Sequence, residues 1–556
     1  MREAHGTNWL HRPTLKGSNR ADCLTPFRVF NPCLTSVGFA QSARPRLLTS
    51  VPSGPTNLAK NKKLSVCYAE NAEKINAQQN YAGSGEIQEE HVDVNSQNVS
   101  GPMRLAKFKR IGEQEMSELK RPKVVIVGGG FGGLSAAKKL SGKPVDVTLI
   151  DRKNHHTFQP LLYQVATAVL SPGEIASPLR LILDRAPNIE VIMDEVTDFD
   201  AAKQRVLLKG DSSLQYDYLI VAAGARHSYF GHDQWEHDAP GLKTVEDAVE
   251  IRRRVLFAFE RAEREAYLTG QHGPLNFAII GGGPTGIELA GAIAEIAHRV
   301  LARDFKAIDA TNARVMLFEG LPRVLSVYPE DISQKAEKQL KELGVEVRTS
   351  SMVTAVESSR IKVGDEWIPT SVTLWATGVA ASPLGKKLAA QAQGVQADRA
   401  GRVPIAPDLS LPGHPEIFVI GDLSSLKDAN GKAVPGLGSA AMQEGKAAAA
   451  NILHDLQGKA RLPFKYFDKG TMATIGRRRA VAQIGRLHVS GYFAWLMWLF
   501  VHLFLLVGFR NRLMVMREWI WAYFTRERSA RLITGDTDDP ILNAQRIEVA
   551  DATHGD

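Results

Sequence analysis

Two glycine runs carry the chain's first chemical signal. Gly128, Gly130 and Gly133 are spaced G-x-G-x-x-G in "VVIVGGGFGGL", with Phe131 and Gly132 between them. Gly281, Gly283 and Gly286 repeat the spacing in "GGGPTGIELAGA", around Pro284 and Thr285. Glycine at these places allows a tight turn from strand to helix, close approach of the backbone to a pyrophosphate, and close strand–helix packing. The helix then offers unpaired N–H groups and its positive dipole end to the phosphates. An acid closes the strand after each run: Asp151, followed by Arg152, in the first, and Glu319 in the second. A carboxylate there accepts from ribose hydroxyls and repels a 2′-phosphate, which in the second unit favours NADH over NADPH. Arg323, close by in sequence, keeps NADPH open. Two such units predict two dinucleotides. The pair that makes chemical sense is FAD as cofactor and NADH as substrate, the flavin carrying the redox chemistry.

These residues need strands that end on them. Val124–Val127 is an uninterrupted β-branched run, as in a parallel strand buried on both faces. "LSAAKKL" reads as the following helix and "DVTLID" as the next strand, and "NFAIIGGG" with "RVMLFEG" duplicates the pattern. Short apolar strands also end on Ala223 and Gly224 in "YDYLIVAAGAR", on Gly378 in "SVTLWATGV", and on Gly421 and Asp422 in "EIFVIGDLS". The expected architecture is α/β with two Rossmann-like domains. An FAD-binding domain in two parts, 119–242 and 364–462, has an NADH-binding domain inserted at 243–363. A C-terminal helical membrane-anchoring region follows at 463–535, then a tail at 536–556.

Composition narrows the chemistry. The 556 residues are 44% hydrophobic and 23% charged, enough apolar content for several packed domains. Residues 1–118 differ: they are Ser-, Asn- and Arg-rich, and through position 69 their only acids are Glu3 and Asp22. This extension reads as disordered, with an organelle transit peptide as the alternative. The net charge is +8, with basic clusters near Lys107–Arg110 and from Arg510 to Arg531. No nucleic-acid fold signature accompanies them, so a lipid surface is the expected partner and nucleic acid is not. Cys23, Cys33 and Cys67 are the only cysteines. The body therefore has no redox cysteine pair, which excludes disulfide reductases and sulfide-oxidising relatives, and no thiolate metal site. His155 and His156 are adjacent and would point to opposite faces of a strand, so no metal is expected.

From about 121 to 535 the sequence resembles the type II NADH dehydrogenases, single-subunit NADH:quinone oxidoreductases. The resemblance rests on "VVIVGGGFGGL", "HTFQPLLYQVATA", "GGGPTGIELAGA", "IFVIGDL", "AMQEG", "DKGTMATIGRR" and "HLFLLVGFRNR". It implies hydride transfer from NADH to FAD, then two electrons to ubiquinone or menaquinone, without proton pumping. It also implies that Asp422 binds the flavin's ribityl chain, that Ala440 lies against the flavin, and that Gln159 and Gln164 lie near the isoalloxazine. Glu288, Gln443 and Lys469 are implied as catalytic. Glu288 also reads as an ordinary acid favoured near a helix N-terminus, and Lys469 as a surface lysine. Ser439 stands where the resemblance expects another glutamine. Two alternatives remain: a soluble NADH:ferredoxin or small-protein reductase, and a flavin- and NADH-binding redox sensor.

The stretch "YFAWLMWLFVHLFLLVGFRNR" separates them. A helix over Phe493–Phe509 would be about 25 Å long, short for a bilayer crossing. Arg486 precedes it, and Arg510 and Arg512 follow. Gly508 looks like a helix stop, and the next segment carries Trp519, Trp521 and Tyr523, suited to the headgroup level. Residues 493–524 thus read as a monotopic anchor that brings the flavin to a quinone confined to the bilayer. The expected location is the cytoplasmic face of the plasma or inner membrane, or the mitochondrial inner membrane if residues 1–60 are a transit peptide. Pairing into a homodimer is left open.

Overall fold

A computed structural model describes residues 121–427 and 431–535. The extension and the tail expected at the two ends lie outside the described residues. The first sheet contains β1 (Lys123–Val127), β2 (Asp146–Asp151), β3 (Ile189–Met193) and β4 (Tyr218–Val221). The second contains β5 (Asn276–Ile280), β6 (Arg314–Phe318), β7 (Val345–Arg348) and β8 (Val372–Trp375), in the parallel order β7-β6-β5-β8. The chain then returns to the first sheet with β9 (His414–Val419), giving a parallel run β9-β4-β1-β2-β3 with Ser410–Leu411 antiparallel at its edge. The central strands β1 and β5 are buried on both faces along nearly their whole length, as expected of parallel strands covered on both sides.

The glycine runs lead into helices α1 (Phe131–Leu140) and α2 (Pro284–Glu295). A β-carbon on Gly133 would lie 1.8 Å from the Gly128 carbonyl oxygen, and one on Gly286 would lie 1.8 Å from that of Gly281. Helix and strand touch backbone to backbone at both places, which only glycine permits. α1 packs along α3 (Gly438–Leu456) by the same device, with the Gly445 Cα facing the Gly132 carbonyl.

The C-terminal unit is an antiparallel sheet of β10 (Thr471–Gly476), β11 (Arg479–Ile484) and β12 (Leu487–Ser490), followed by α4 (Tyr492–Leu505) and α5 (Phe509–Thr525). It is seated on α2, where Gly291 lies against Ile475: a β-carbon would come 1.7 Å from that carbonyl. The helix expected over Phe493–Phe509 is shorter than the apolar pattern. It stops at Leu505, because Leu506 turns extended to bury its side chain and its carbonyl accepts from Arg512 Nε at 2.8 Å. Gly508, at φ +89°, then reverses the chain into α5. No helix among the described residues is long and apolar enough to cross a membrane.

Both C-terminal helices keep one face in the core, through Ala494, Trp498, Asn511 and Val515. Their other faces leave Phe493, Phe500, Phe504, Phe509 and Phe524 in the open, Phe500 72% and Phe524 78% exposed. Replacing Gly291 by alanine should overpack the α2–β10 contact and cost about 2 kcal/mol of stability. Denaturant unfolding of the variant beside the parent protein checks this, and an unchanged midpoint would show that the contact relaxes freely.

Candidate active site

The two glycine-rich turns are built alike atom by atom. Gly128 N–H donates to the Ile150 carbonyl at 2.8 Å and Gly281 N–H to that of Phe318 at 2.7 Å. The next amide in each turn donates to the acid that closes the neighbouring strand: Gly129 to Asp151 Oδ2 and Gly282 to Glu319 Oε2, both at 2.6 Å. The second carboxylate oxygens accept from Lys153 N–H and Leu321 N–H. Each acid therefore organises its turn, accepting one backbone amide on each carboxylate oxygen. Gly128 is backed by Ala222 and Ala223, and Gly281 by Ala376 and Thr377. Gly224 and Gly378 both adopt positive φ just beyond those contacts.

Gly130 and Gly283 cap the two helices, and nothing lies within 4 Å of where their β-carbons would stand. Their backbone is extended, so glycine here keeps space open above the helix N-terminus rather than permitting a turn. A dinucleotide pyrophosphate fits that space and that dipole. Pro284 and Thr285 form the first turn of α2, while Phe131 starts α1 and meets His156 edge-on, with ring centroids 5.1 Å apart. His156 faces inward to the Gly129 carbonyl at 3.0 Å; Arg152 is exposed.

Gly421 and Asp422 lie in a short turn just after β9 and Ala440 in the first turn of α3, beside Gly132, which packs against Ile420 and the Ala441 carbonyl. Gly421 has φ +72°, and its amide donates to Glu444, a residue the sequence reading did not single out. Burial pushes the Glu444 carboxyl up to about 7. Asp422 stays partly open, 3.8 Å from Lys243 Nζ. Gln443 is committed to the backbone: its amide donates to the Ser439 and Phe467 carbonyls and accepts from Phe467 N–H at 3.0 Å. It fastens the segment that carries the exposed Lys469.

Glu288 lies elsewhere, in the wall of a cavity of about 540 Å³ between α2, β10 and the two C-terminal helices. Tyr163, Gln164, Thr474, Trp498 and Trp519 share that wall, whereas Gln443 and Lys469 do not. Glu288 is partly accessible on the cavity side and otherwise enclosed, and burial pushes its carboxyl up to about 8, against an opposing hydrogen bond from Thr474. The shift favours the protonated form beside a mostly apolar chamber. At the far end of α2, Glu295 lies 3.6 Å from the buried Arg528 guanidinium, which also donates to the Thr167 carbonyl at 2.6 Å.

Residues 122–445 match the pyridine nucleotide-disulphide oxidoreductase family, and residues 469–527 match the NDH2 C-terminal domain. The chain is 45% identical over 440 residues to the type II NADH:quinone oxidoreductase Ndh of Mycobacterium tuberculosis, covering 77% of this chain and 93% of that one. The chain belongs to the type II NADH:quinone oxidoreductases. It is 29% identical over 414 residues to the demethylphylloquinone reductase NdbB of Synechocystis, covering 72% of this chain and 96% of that one. The fold matches that of NDH2 from Plasmodium falciparum, solved in complex with NADH, at a TM-score of 0.68 and 21% identity, over 75% of this chain and all of that one. As a type II NADH:quinone oxidoreductase the protein is an FAD-dependent enzyme with NADH as its substrate and a quinone as its acceptor.

Glu288 also sets a pH signature. The folded carboxyl keeps its proton up to about 8, whereas an unfolded glutamate releases it near about 4.3. Unfolding therefore releases a proton between those values, and stability falls as pH rises through that window. Glu288→Gln should raise the melting temperature by several degrees at pH 9 and leave it unchanged at pH 4, as calorimetry of the FAD-loaded variants would report.

Proposed function

We propose that residues 119–242 with 364–462 hold FAD, that residues 243–363 hold NADH, and that residues 463–535 seat the enzyme on a membrane surface with the quinone ring in the Glu288 cavity. The observation that carries this reading is the cavity's position. It lies under α4 and α5, whose exposed phenylalanines give its mouth an apolar rim, while its wall includes a residue of the helix that caps the second cradle. Such a face loses exposed apolar area on meeting a bilayer. Exposed Arg510, Arg517 and Arg526 on the same helix pair suit anionic headgroups. The NADH cradle then stays on the water side, as expected for the cytoplasmic face.

Bound FAD supplies hydride acceptance from NADH and two-electron delivery to the quinone. The protein's own residues supply binding and one proton, since the balanced reaction is NADH + H⁺ + quinone → NAD⁺ + quinol. Asp151 and Glu319 would hold the ribose hydroxyls, and Asp422 would hold the ribityl chain. Arg323 is occupied by the Tyr328 and Ser326 carbonyls at 2.8 and 2.7 Å, which supports NADH over NADPH. Glu288, its protonated form favoured by burial, is the group suited to passing the net proton to the quinone. Gln443 is assigned to holding the Phe467–Lys469 segment against α3.

Stopped-flow mixing with NADH should bleach the flavin, and ubiquinone-1 or menadione should restore it at a rate comparable to turnover. Bleaching without quinone-dependent recovery would overturn the reading. Phe500→Asp with Phe524→Asp should abolish flotation with phospholipid vesicles while leaving flavin reduction intact. Continued flotation of the double variant would sink the membrane assignment.

A further inference from the structure

A hydrogen-bond chain runs from the exposed helix pair into the cavity. Trp519, on α5, donates its indole N–H to Gln164 Oε1 at 2.7 Å across 355 residues of sequence. Gln164 Nε2 lies 2.7 Å from the Tyr163 hydroxyl oxygen. The direction of the chain is fixed by chemistry. An indole N–H can only donate, so the amide oxygen of Gln164 must face Trp519. Its NH2 group must then face Tyr163, whose oxygen is the acceptor. The phenol proton has to go elsewhere, and no other hydrogen-bond partner of that hydroxyl exists among the described residues. Tyr163 and Gln164 are both buried, and both line the cavity with Glu288. A buried O–H without an acceptor is costly, so the chain stores a donor for something that enters.

We propose that Tyr163 is the hydrogen-bond donor to a quinone carbonyl in this cavity, and that Trp519 and Gln164 are positioning residues that hold its proton toward the ligand. The inference rests on the cavity being the quinone site and adds which atom reads the ligand. A carbonyl oxygen gains negative charge as electrons arrive, so a preset donor helps the transition state more than the ground state. Burial holds the Tyr163 hydroxyl well above its ordinary value, with Glu288 adding to the effect, so the group keeps its proton throughout the working range. Trp519 neighbours Ile520 and Trp521, which are half exposed on the proposed membrane face. Seating α5 therefore also sets the direction of a donor inside the site. A weakly seated helix would leave Gln164 free to flip and Tyr163 free to turn its proton inward.

The experiment is a double-mutant cycle on the FAD-loaded, full-length enzyme with ubiquinone-1. Tyr163→Phe should lower kcat about tenfold, the loss of roughly one hydrogen bond, with KM changing much less. Trp519→Phe should lower it by a similar factor, and adding it to Tyr163→Phe should cost nothing further, because both act through one proton. Gln164→Glu should match Tyr163→Phe, since a carboxylate accepts from both neighbours and draws the phenol proton away. The solvent isotope effect on flavin reoxidation should change in all three. Bleaching of the flavin by NADH is read first, as the check that each variant is folded and loaded. Additive losses, or a Tyr163→Phe enzyme with unchanged kcat and isotope effect, would overturn the assignment. Wild-type flavin that no quinone reoxidises would instead overturn the quinone reading beneath it.

Discussion

The absence of a β-carbon at a few positions is the constraint on which everything else in this chain rests. Gly133 and Gly286 let a helix begin in contact with the strand it follows, and Gly291 lets the C-terminal sheet sit on the back of α2. A methyl group at any of them would meet a carbonyl oxygen at less than 2 Å. Because these contacts are backbone to backbone, the distances they set do not drift with side-chain rotamers. The acids then complete the turns: Asp151 and Glu319 each accept an amide from the turn they adjoin. Electrostatic attraction to the helix end and hydrogen bonding to the turn act on the same carboxylate.

α2 is the element through which the parts communicate. Its N-terminus caps the second cradle, Glu288 one turn later faces the cavity, and Glu295 at the far end pairs with Arg528 beyond α5. Twelve residues of helix span about 18 Å, so the second glycine cradle and the Glu288 cavity are held by one rod. Nothing in this arrangement calls for a domain movement between the two half-reactions.

Much of this was legible in the sequence, because glycine spacing, β-branched runs and a closing acid report backbone geometry that few other arrangements satisfy. The two-cradle α/β fold and the FAD and NADH pairing followed from them. What escaped depends on partners far apart in the chain. Gln443 has the residue type of a ligand contact, yet its amide is spent on Phe467, a pairing that no local pattern encodes. Glu444 looked like one acid among small residues until Gly421 was seen to donate to it. Trp519 had the look of a headgroup-level aromatic, and only the fold brings its N–H to Gln164. The end of α4 was misread for a related reason. Hydropathy continues through Val507, but burial of Leu506 and its bond from Arg512 decide where the helix stops.

The mouth of the cavity shares a face with the exposed phenylalanines, and that placement has a kinetic meaning. An enzyme that draws its acceptor through such a face searches in two dimensions. Its rate follows the mole fraction of quinone among the lipids it rests on, not the amount per volume of suspension. Adding empty lipid would slow it while every bulk concentration stayed the same, and a cell that thickens its quinone pool in a patch of membrane would speed only the copies seated there.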